Sequence, residues 1–476
     1  VLTFRREIWI IWGLMILQLA LCLPVLNSFP IGLDEPFSIF YAQQNPSEIW
    51  EMLGREDNPP LHFYLLHYWM NLFGDSAWSV RSLSLLFSTL TIPVLWKLGR
   101  HFLNRDFTVV FILMFILSTF NHYHAVEART YSLLVLLFAL ILFELKTLLF
   151  EGNFSVWRFM LWNALILYTH YLAAIVIGVE IALLIVLFRK LTWNKTFLVF
   201  LSWIVSAVLY IPGIKLLLVR SSNYSDKGTW VPEPHWSELY GNINRFCNSK
   251  YAVVAFAVMV LVAAVWNYRK TLHSFLSKTF TSKFWFATVA FGVPYFGMYV
   301  LSIAIVPVSI FLDRYLLFTT IPLFLALTIL MESASGDKLN SWKSLVFILP
   351  FAFTCKYLPD SNRADDELAA YVRSIRNDKS LILICPDFYY RTFMYHYDIE
   401  AFRDYTTIRE HMSNSGIWPA CFWVAGLDSF DNQILIDTDG EALDGLELLQ
   451  SENLLNDSTF AGNFHVTQLR IPKNND

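Results

Sequence analysis

The chain has 476 residues, of which 56% are hydrophobic and only 16% charged, against roughly 25% charged in an ordinary soluble chain. That composition excludes a water-soluble globule, and with 41 Phe, 22 Tyr and 17 Trp it points to long apolar helices with aromatic interfacial ends. The formal charge of -4 averages a body dotted with Lys and Arg and an acid-rich tail, so it offers no ground for nucleic-acid binding.

At the amino-terminal end, Arg5-Arg6 precede an apolar run from Ile8 to Leu26 with no convincing small-residue cleavage site. It is long enough to span, and reads as an uncleaved first helix rather than a signal peptide. On a ruler of about 20 apolar residues per span, about eleven spans follow: 8–27, 78–98, 106–121, 130–149, 156–170, 171–188, 196–217, 251–267, 284–305, 313–331 and 343–357. With the amino terminus inside, the cytoplasmic connections collect Arg5, Arg6, Lys97, Arg100, Arg105, Lys146, Arg158, Arg189, Lys190, Lys195, Arg269, Lys270, Lys278, Lys283, Lys338 and Lys343, a positive-inside pattern. The segment 28–77, the turns at His122 to Arg129 and at His170, the loop 218–250, the turn before Asp313 and the tail then share the outer face.

Within segment 28–77 the stretches Ser47 to Gly54 and Leu61 to Phe73 are amphipathic and too short or too polar to cross, and read as interfacial helices. The body thus covers residues 1–357, and residues 358–476 form a small soluble α/β domain. Its predicted elements are a helix Asp365 to Arg376, a strand Leu381 to Cys385, a helix Phe388 to His396, a strand Cys421 to Ala425, a helix Glu441 to Ser451 and a strand Phe464 to Ile471. Alternation of helix and strand predicts a partly parallel sheet.

Five cysteines are scattered without a CxxC pair or a Cys/His cluster at metal-ligand spacing. Cys22 and Cys355 lie in apolar runs as core thiols. Cys385 and Cys421 sit in two predicted strands and could meet, although buried free thiols are the favoured reading.

The ionisable residues of the outer face carry the chemistry. Asp34-Glu35 follow the first span directly, and charge that close to hydrocarbon, worth about 2.5–3.5 kcal/mol at mid-membrane, calls for a reason. The pair is a candidate acid/base or metal site, or a solvated loop. Asn58-Pro59-Pro60-Leu61-His62 give an extended lead into the second interfacial helix. Arg81, near the outer end of the second span, is expected to snorkel to headgroups.

The run His122-Tyr123-His124-Ala125-Val126-Glu127-Ala128-Arg129-Thr130-Tyr131 crowds two His, a Glu and an Arg into one helix junction. Glu127 and Arg129 could simply pair, yet exposed ion pairs contribute only about 0–1 kcal/mol. An interfacial Arg is well suited to grip a phosphate bidentately. Asp313-Arg314-Tyr315 repeats the arrangement at the start of the tenth span, with Asp313 also favoured by the helix dipole. His170, in the turn Tyr168-Thr169-His170-Tyr171, reads equally well as a satisfied interfacial residue. Outer carboxylates, phosphate-gripping arginines and interfacial helices suit a lipid-linked substrate whose phosphate sits at headgroup level. No Gly-rich nucleotide fingerprint is present.

Over most of residues 1–331 the chain resembles the GT-C superfamily of polyprenyl-phosphate-sugar-dependent glycosyltransferases, in the branch of protein mannosyltransferases, aminoarabinose transferases and rhizobial lipopolysaccharide sugar transferases. The carriers are Asp34-Glu35, Asn58-Pro59-Pro60-Leu61, Glu127-Ala128-Arg129-Thr130-Tyr131 and Arg314-Tyr315-Leu316, in that order and on one side. The resemblance implies an inverting sugar transfer from a polyprenyl-phosphate donor to a cell-envelope glycan, glycolipid or protein acceptor outside the cell's inner membrane. It makes Asp34 the base, Glu35 its helper or a metal ligand, and Arg129 and Arg314 the grip on the departing phosphate. Substrate contacts fall to His62, His122, His124, Glu127, Tyr131 and Tyr315, and a divalent cation is implied with Glu35, His62, His122 or His124 as ligands. The tail departs from the inserted lumenal domain of eukaryotic mannosyltransferases, which puts a protein acceptor in question. The rival reading is a flippase for lipid-linked sugars, which would place broken or polar helices at the midplane and show repeated halves.

Overall fold

The structure, a computed structural model, describes residues 2–54, 58–152, 154–216, 218, 231–267, 279–304, 309–335, 342–357, 364–404, 406–419, 432–437, 455–461 and 464–470. Its contacts divide the chain into two compact units. One comprises Val1–Leu26, Ser47–Leu65 and Arg81–Pro359, and the other Asn27–Pro46, Leu66–Val80 and Asp360–Asp476. Two pieces of the first loop therefore pack with the tail.

The first unit is helical. Among the described residues six helices are long and apolar enough to cross a membrane: Glu7–Val25, Ala77–Phe102, Tyr131–Glu151, Lys250–Asn267, Ser282–Ala304 and Asp313–Ser335. Shorter apolar helices stand at Val156–Leu167, Tyr171–Val186, Trp193–Leu209 and Lys343–Thr354. Burial sorts the long ones into layers. In the apolar stretches of Tyr131–Glu151 and Asp313–Ser335, 78% of the residues are buried within the protein, against 22% and 17% in those of Glu7–Val25 and Lys250–Asn267. The outer pair turns side chains such as Trp9, Trp12, Val254 and Leu261 outward, an apolar surface that suits hydrocarbon rather than water.

The predicted span 106–121 is not straight. Arg105–Leu117 and Thr119–Ala125 meet at a 63° bend. Ser118 is extended there (φ -71°, ψ 114°) and its hydroxyl accepts from the Asn121 amide, so it caps the second piece. Asn248 spans the break from another helix end: its Oδ1 accepts from the Thr119 amide at 2.7 Å and its Nδ2 donates to the Leu117 carbonyl at 2.8 Å. Backbone groups that the bend frees are thereby bonded again, as an apolar surrounding requires.

Arg81 is fully buried and donates from Nη1 to the Leu26 carbonyl at 2.7 Å. The expected snorkelling is therefore overturned. Leu26 follows the short 3-10 turn Leu23–Val25 that ends the first helix, where carbonyls lack helical partners, and a guanidinium supplies one.

In the second unit a five-stranded sheet has the order β2-β1-β3-β5-β4, with β1 Ser380–Cys385, β2 Ile417–Pro419, β3 Asn432–Asp437, β4 Leu455–Ala461 and β5 Phe464–Arg470. The expected partly parallel sheet is what forms: β1 pairs parallel with both β2 and β3, while β3–β5 and β4–β5 are antiparallel. Ser380-Leu-Ile-Leu-Ile-Cys385 is buried along its whole length, as a strand covered on both faces should be. The helix Asp365–Ile375 opens on Asp365, Asp366 and Glu367 and ends near Arg373, so its charges follow the helix dipole. The predicted strand 421–425 and helix 441–451 lie outside the described residues. Cys385 is disulfide-bonded, which corrects the free-thiol reading for that residue. Cys421 is outside the described residues, and Cys22, Cys247 and Cys355 are free.

Candidate active site

In the first unit, the turn between Thr119–Ala125 and Tyr131–Lys146 is tied down by its backbone. The Arg129 amide donates to the Glu127 carbonyl at 2.7 Å, Ser84 Oγ donates to the Arg129 carbonyl at 3.2 Å, and Thr130 Oγ1 donates to the Thr169 carbonyl at 3.0 Å. His124, Glu127, Arg129 and Tyr131 are all buried. His124 Nδ1 lies 2.8 Å from Glu127 Oε2, so the acid of this motif is matched by the histidine three residues before it.

The helix Leu61–Phe73 begins close to the same turn. The Leu61 amide donates to the Tyr168 carbonyl at 3.0 Å. The His62 ring is buried, and burial together with the Arg129 charge pushes its pKa down to about 3, with the nearby Ala128 backbone working the other way. His62 is thus a neutral imidazole beside a cation.

Arg314 sits in the 3-10 turn Asp313–Thr319 that leads into Thr320–Ser335. Asp313 bonds Arg245 of the helix Ser237–Phe246 through one carboxylate oxygen. Its other oxygen accepts from the Arg314 amide at 2.6 Å. The Arg314 guanidinium lies 5.9 Å from the Tyr315 ring, and that ring is 5.0 Å from His170. His170 is in turn 6.3 Å from Tyr131, whose ring has the Arg129 guanidinium at 6.0 Å. Ring contacts therefore connect the two arginines through Tyr131, His170 and Tyr315. His170 is the member that sequence reasoning left aside; its Nδ1 accepts from the Leu172 amide at 3.2 Å, which leaves the other ring nitrogen as the donor in the neutral form.

The acid pair belongs to the second unit. Glu35–Ala42 is a helix with Pro36 in its first turn, where proline's fixed φ fits and no amide is missed. Asp34 stands at its N-cap but does not cap it through its side chain, and Glu35 is fully buried. Leu33, just before, has φ +54°, a left-handed conformation that is uncommon for a branched side chain and persists only when its surroundings over-determine it. Those surroundings come from the tail helix Tyr390–Tyr397. Thr392 Oγ1 donates to the Leu33 carbonyl at 3.2 Å, and His396 Nε2 donates to the Ile31 carbonyl at 2.5 Å.

His122 faces inward. Its Nδ1 lies 3.4 Å from Cys22 Sγ and its Nε2 donates to the Tyr357 carbonyl at 2.8 Å, so both ring nitrogens serve internal contacts. Among the described residues no group of three or more His, Cys, Asp or Glu side chains is placed to hold a metal ion.

Residues 57–214 match the model of the family described as dolichyl-phosphate-mannose-protein mannosyltransferase. No curated protein sequence matches the chain. Among solved structures, the chain superposes on ArnT from Cupriavidus metallidurans in the apo state with a TM-score of 0.47 and 12% identity, covering 98% of this chain and 100% of that one. ArnT bound to undecaprenyl phosphate gives 0.42 and 11%, over 98% and 99%. The Archaeoglobus fulgidus oligosaccharyltransferase in complex with Zn and sulfate gives 0.49 and 11%, over 98% and 74%. The family match bears out the resemblance to GT-C enzymes read from the sequence and, with it, the class of activity, a glycosyltransferase.

Proposed function

We propose that this membrane glycosyltransferase moves a sugar from a polyprenyl-phosphate carrier to a hydroxyl of a cell-envelope glycan, glycolipid or protein on the extracytoplasmic face of the inner membrane, with inversion. The observation that carries the reading is the pair Arg129 and Arg314, connected through Tyr131, His170 and Tyr315. Guanidinium groups match phosphate oxygens bidentately and stay charged.

In the reaction, the Asp34 carboxylate takes the proton of the acceptor hydroxyl. The oxygen attacks the anomeric carbon from the face opposite the carrier. The bond from that carbon to the phosphate oxygen breaks, and the electron pair leaves on the lipid phosphate. Arg129 and Arg314 meet the negative charge that grows on this group, an effect worth about 10²–10³ in kcat per donor removed in comparable oxyanion sites. Glu35 supports Asp34, and neutral His62 adds no competing charge beside Arg129. His124, Glu127, Tyr131 and Tyr315 line the donor's approach, and His122 braces that region.

On this reading the tail lies outside the cytoplasm. The disulfide at Cys385 supports this, because such bonds persist in oxidising compartments. The far end of the Tyr131–Lys146 helix carries basic groups, with Lys146 bonded to Glu151 at 2.8 Å and Arg158 to Glu144 at 2.7 Å, which suits a cytoplasmic end.

The test is transfer of labelled sugar from a polyprenyl-phosphate donor by the protein in vesicles. Asp34→Asn should lower kcat by about 10²–10⁴, the usual worth of a positioned base, and Arg129→Ala and Arg314→Ala by about 10²–10³ each. Normal transfer by Asp34→Asn removes the base assignment. Movement of the lipid between leaflets without any transfer would make the protein a flippase instead.

A further inference from the structure

The second unit holds a cavity of about 510 Å³, within the roughly 300–1,000 Å³ of small-ligand pockets. It is lined by Asp387 and Phe388 just past the end of β1, by Trp418 of β2, by Arg391 on the helix Tyr390–Tyr397 and by Arg409 and Met412 on the helix Ile408–Asn414. Parallel β1 has β2 on one side and β3 on the other. In open α/β sheets the crevice outside the carboxyl ends of such strands is where ligands bind.

The lining has a definite chemistry. Arg391 is fixed: its guanidinium carbon lies 5.0–5.7 Å from the rings of Tyr390, Phe37, Tyr41 and Phe40, and it donates to Tyr41 Oη at 3.0 Å. Arg409 is exposed. Against these two cations the described lining sets one carboxylate, Asp387. The rings of Phe388 and Trp418 are 64% and 46% exposed, a large apolar area to leave facing solvent at the mouth of a polar cavity.

We infer that this cavity binds a saccharide bearing a phosphate or a carboxylate. A pyranose ring presents a flat C–H face that stacks on an exposed aromatic side chain. Its hydroxyls donate to the Asp387 carboxylate, and its anionic group meets the two guanidiniums in charge-assisted hydrogen bonds. The inference deepens the transfer reading by assigning an acceptor class, and it rests on that reading only for its biological role.

Binding is tested apart from transfer, by calorimetric titration of the full-length protein in nanodiscs with glucose 1-phosphate, glucuronic acid, glucose and inorganic phosphate. The two acidic sugars should bind saturably. Arg409→Ala and Trp418→Ala should each weaken them about 10-fold or more, and glucose should bind about 10-fold more weakly. Phe388→Ala, at a more exposed position, gives a second reading should Trp418→Ala lower the melting temperature. Absence of saturable binding by both acidic sugars overturns the inference, as does binding indifferent to Arg409 and Trp418. Inorganic phosphate matching the acidic sugars would make this an anion site without sugar recognition. Loss of sugar-phosphate binding with Arg129→Ala, but not with Arg409→Ala, would assign the sugar to the transfer site. All of these failures leave the vesicle transfer assay unaffected, so the two readings fall separately.

Discussion

His62 illustrates how one buried side chain ties stability to pH. Its pKa in the folded protein is about 3 against an ordinary 6.5, so the unfolded chain binds a proton that the folded chain refuses. Stability from this group is complete above about 6.5 and is lost as pH falls from there toward 3. Melting curves of solubilised protein should therefore fall less steeply across that window for His62→Gln than for wild type; identical slopes would show that His62 does not couple folding to protons. Other residues divide by how far their partners were visible in sequence. Arg129 and Arg314 stand out by type and by their place at helix ends, because charge beside an apolar run is costly. His170 does not, because its link to Tyr131 and Tyr315 depends on how three helices are rotated. Arg81 misleads for the same reason: nothing in its neighbourhood shows that the Leu26 carbonyl, 55 residues away, lies within reach.

Elements formed largely where their own residues dictate. Most apolar runs of the expected spans became helix, since unbonded backbone is expensive in hydrocarbon, although 106–121 broke into two pieces, and the wholly apolar Leu381–Ile384 became a buried strand. The bend at Ser118 escaped notice because the residue that mends it, Asn248, comes 131 positions after Leu117. Strand β4, Leu-Asn-Asp-Ser-Thr-Phe-Ala, is polar and carries little strand signal; its pairing with β5 forms it. At this scale the tail helix Tyr390–Tyr397 acts as a brace for the Asp34 turn, which makes His396 a positioning residue. Its hydrogen bond to Ile31 should be needed for turnover more than for binding, because a shift of about 1 Å in a reacting group can cost 10²-fold. His396→Ala should lower kcat about 10-fold or more with donor KM and melting temperature little changed, and His396→Gln, which keeps a donor, should recover most of it. A wild-type kcat in His396→Ala would show that the turn holds without the brace.

At the scale of the whole molecule, the chain divides by contacts and not by order, with residues 27–46 and 66–80 grouped with the tail. Composition shows where the apolar runs stop, near residue 357, but not the partnership of the tail with a loop far earlier in the chain. Arg403 with Asp75 at 2.6 Å and Gln43 with the Phe402 carbonyl at 2.9 Å supply that partnership, and neither pair has a local signature. Cys385 in this unit is disulfide-bonded. Reduction should destabilise the unit by about 2–4 kcal/mol, seen as faster limited proteolysis beyond residue 360 while the helical unit resists; unchanged digestion after verified reduction would show that the bond contributes nothing there. The brace on the acid-pair turn also orders events in time. Ile31 and Leu33 take their hydrogen bonds from residues 365 and 359 positions downstream, so a ribosome must make most of the chain before that turn can settle. A half-made chain already seated in the bilayer lacks the finished turn, so the proposed role of Asp34 makes folding of the helix that carries Thr392 and His396 a condition for activity.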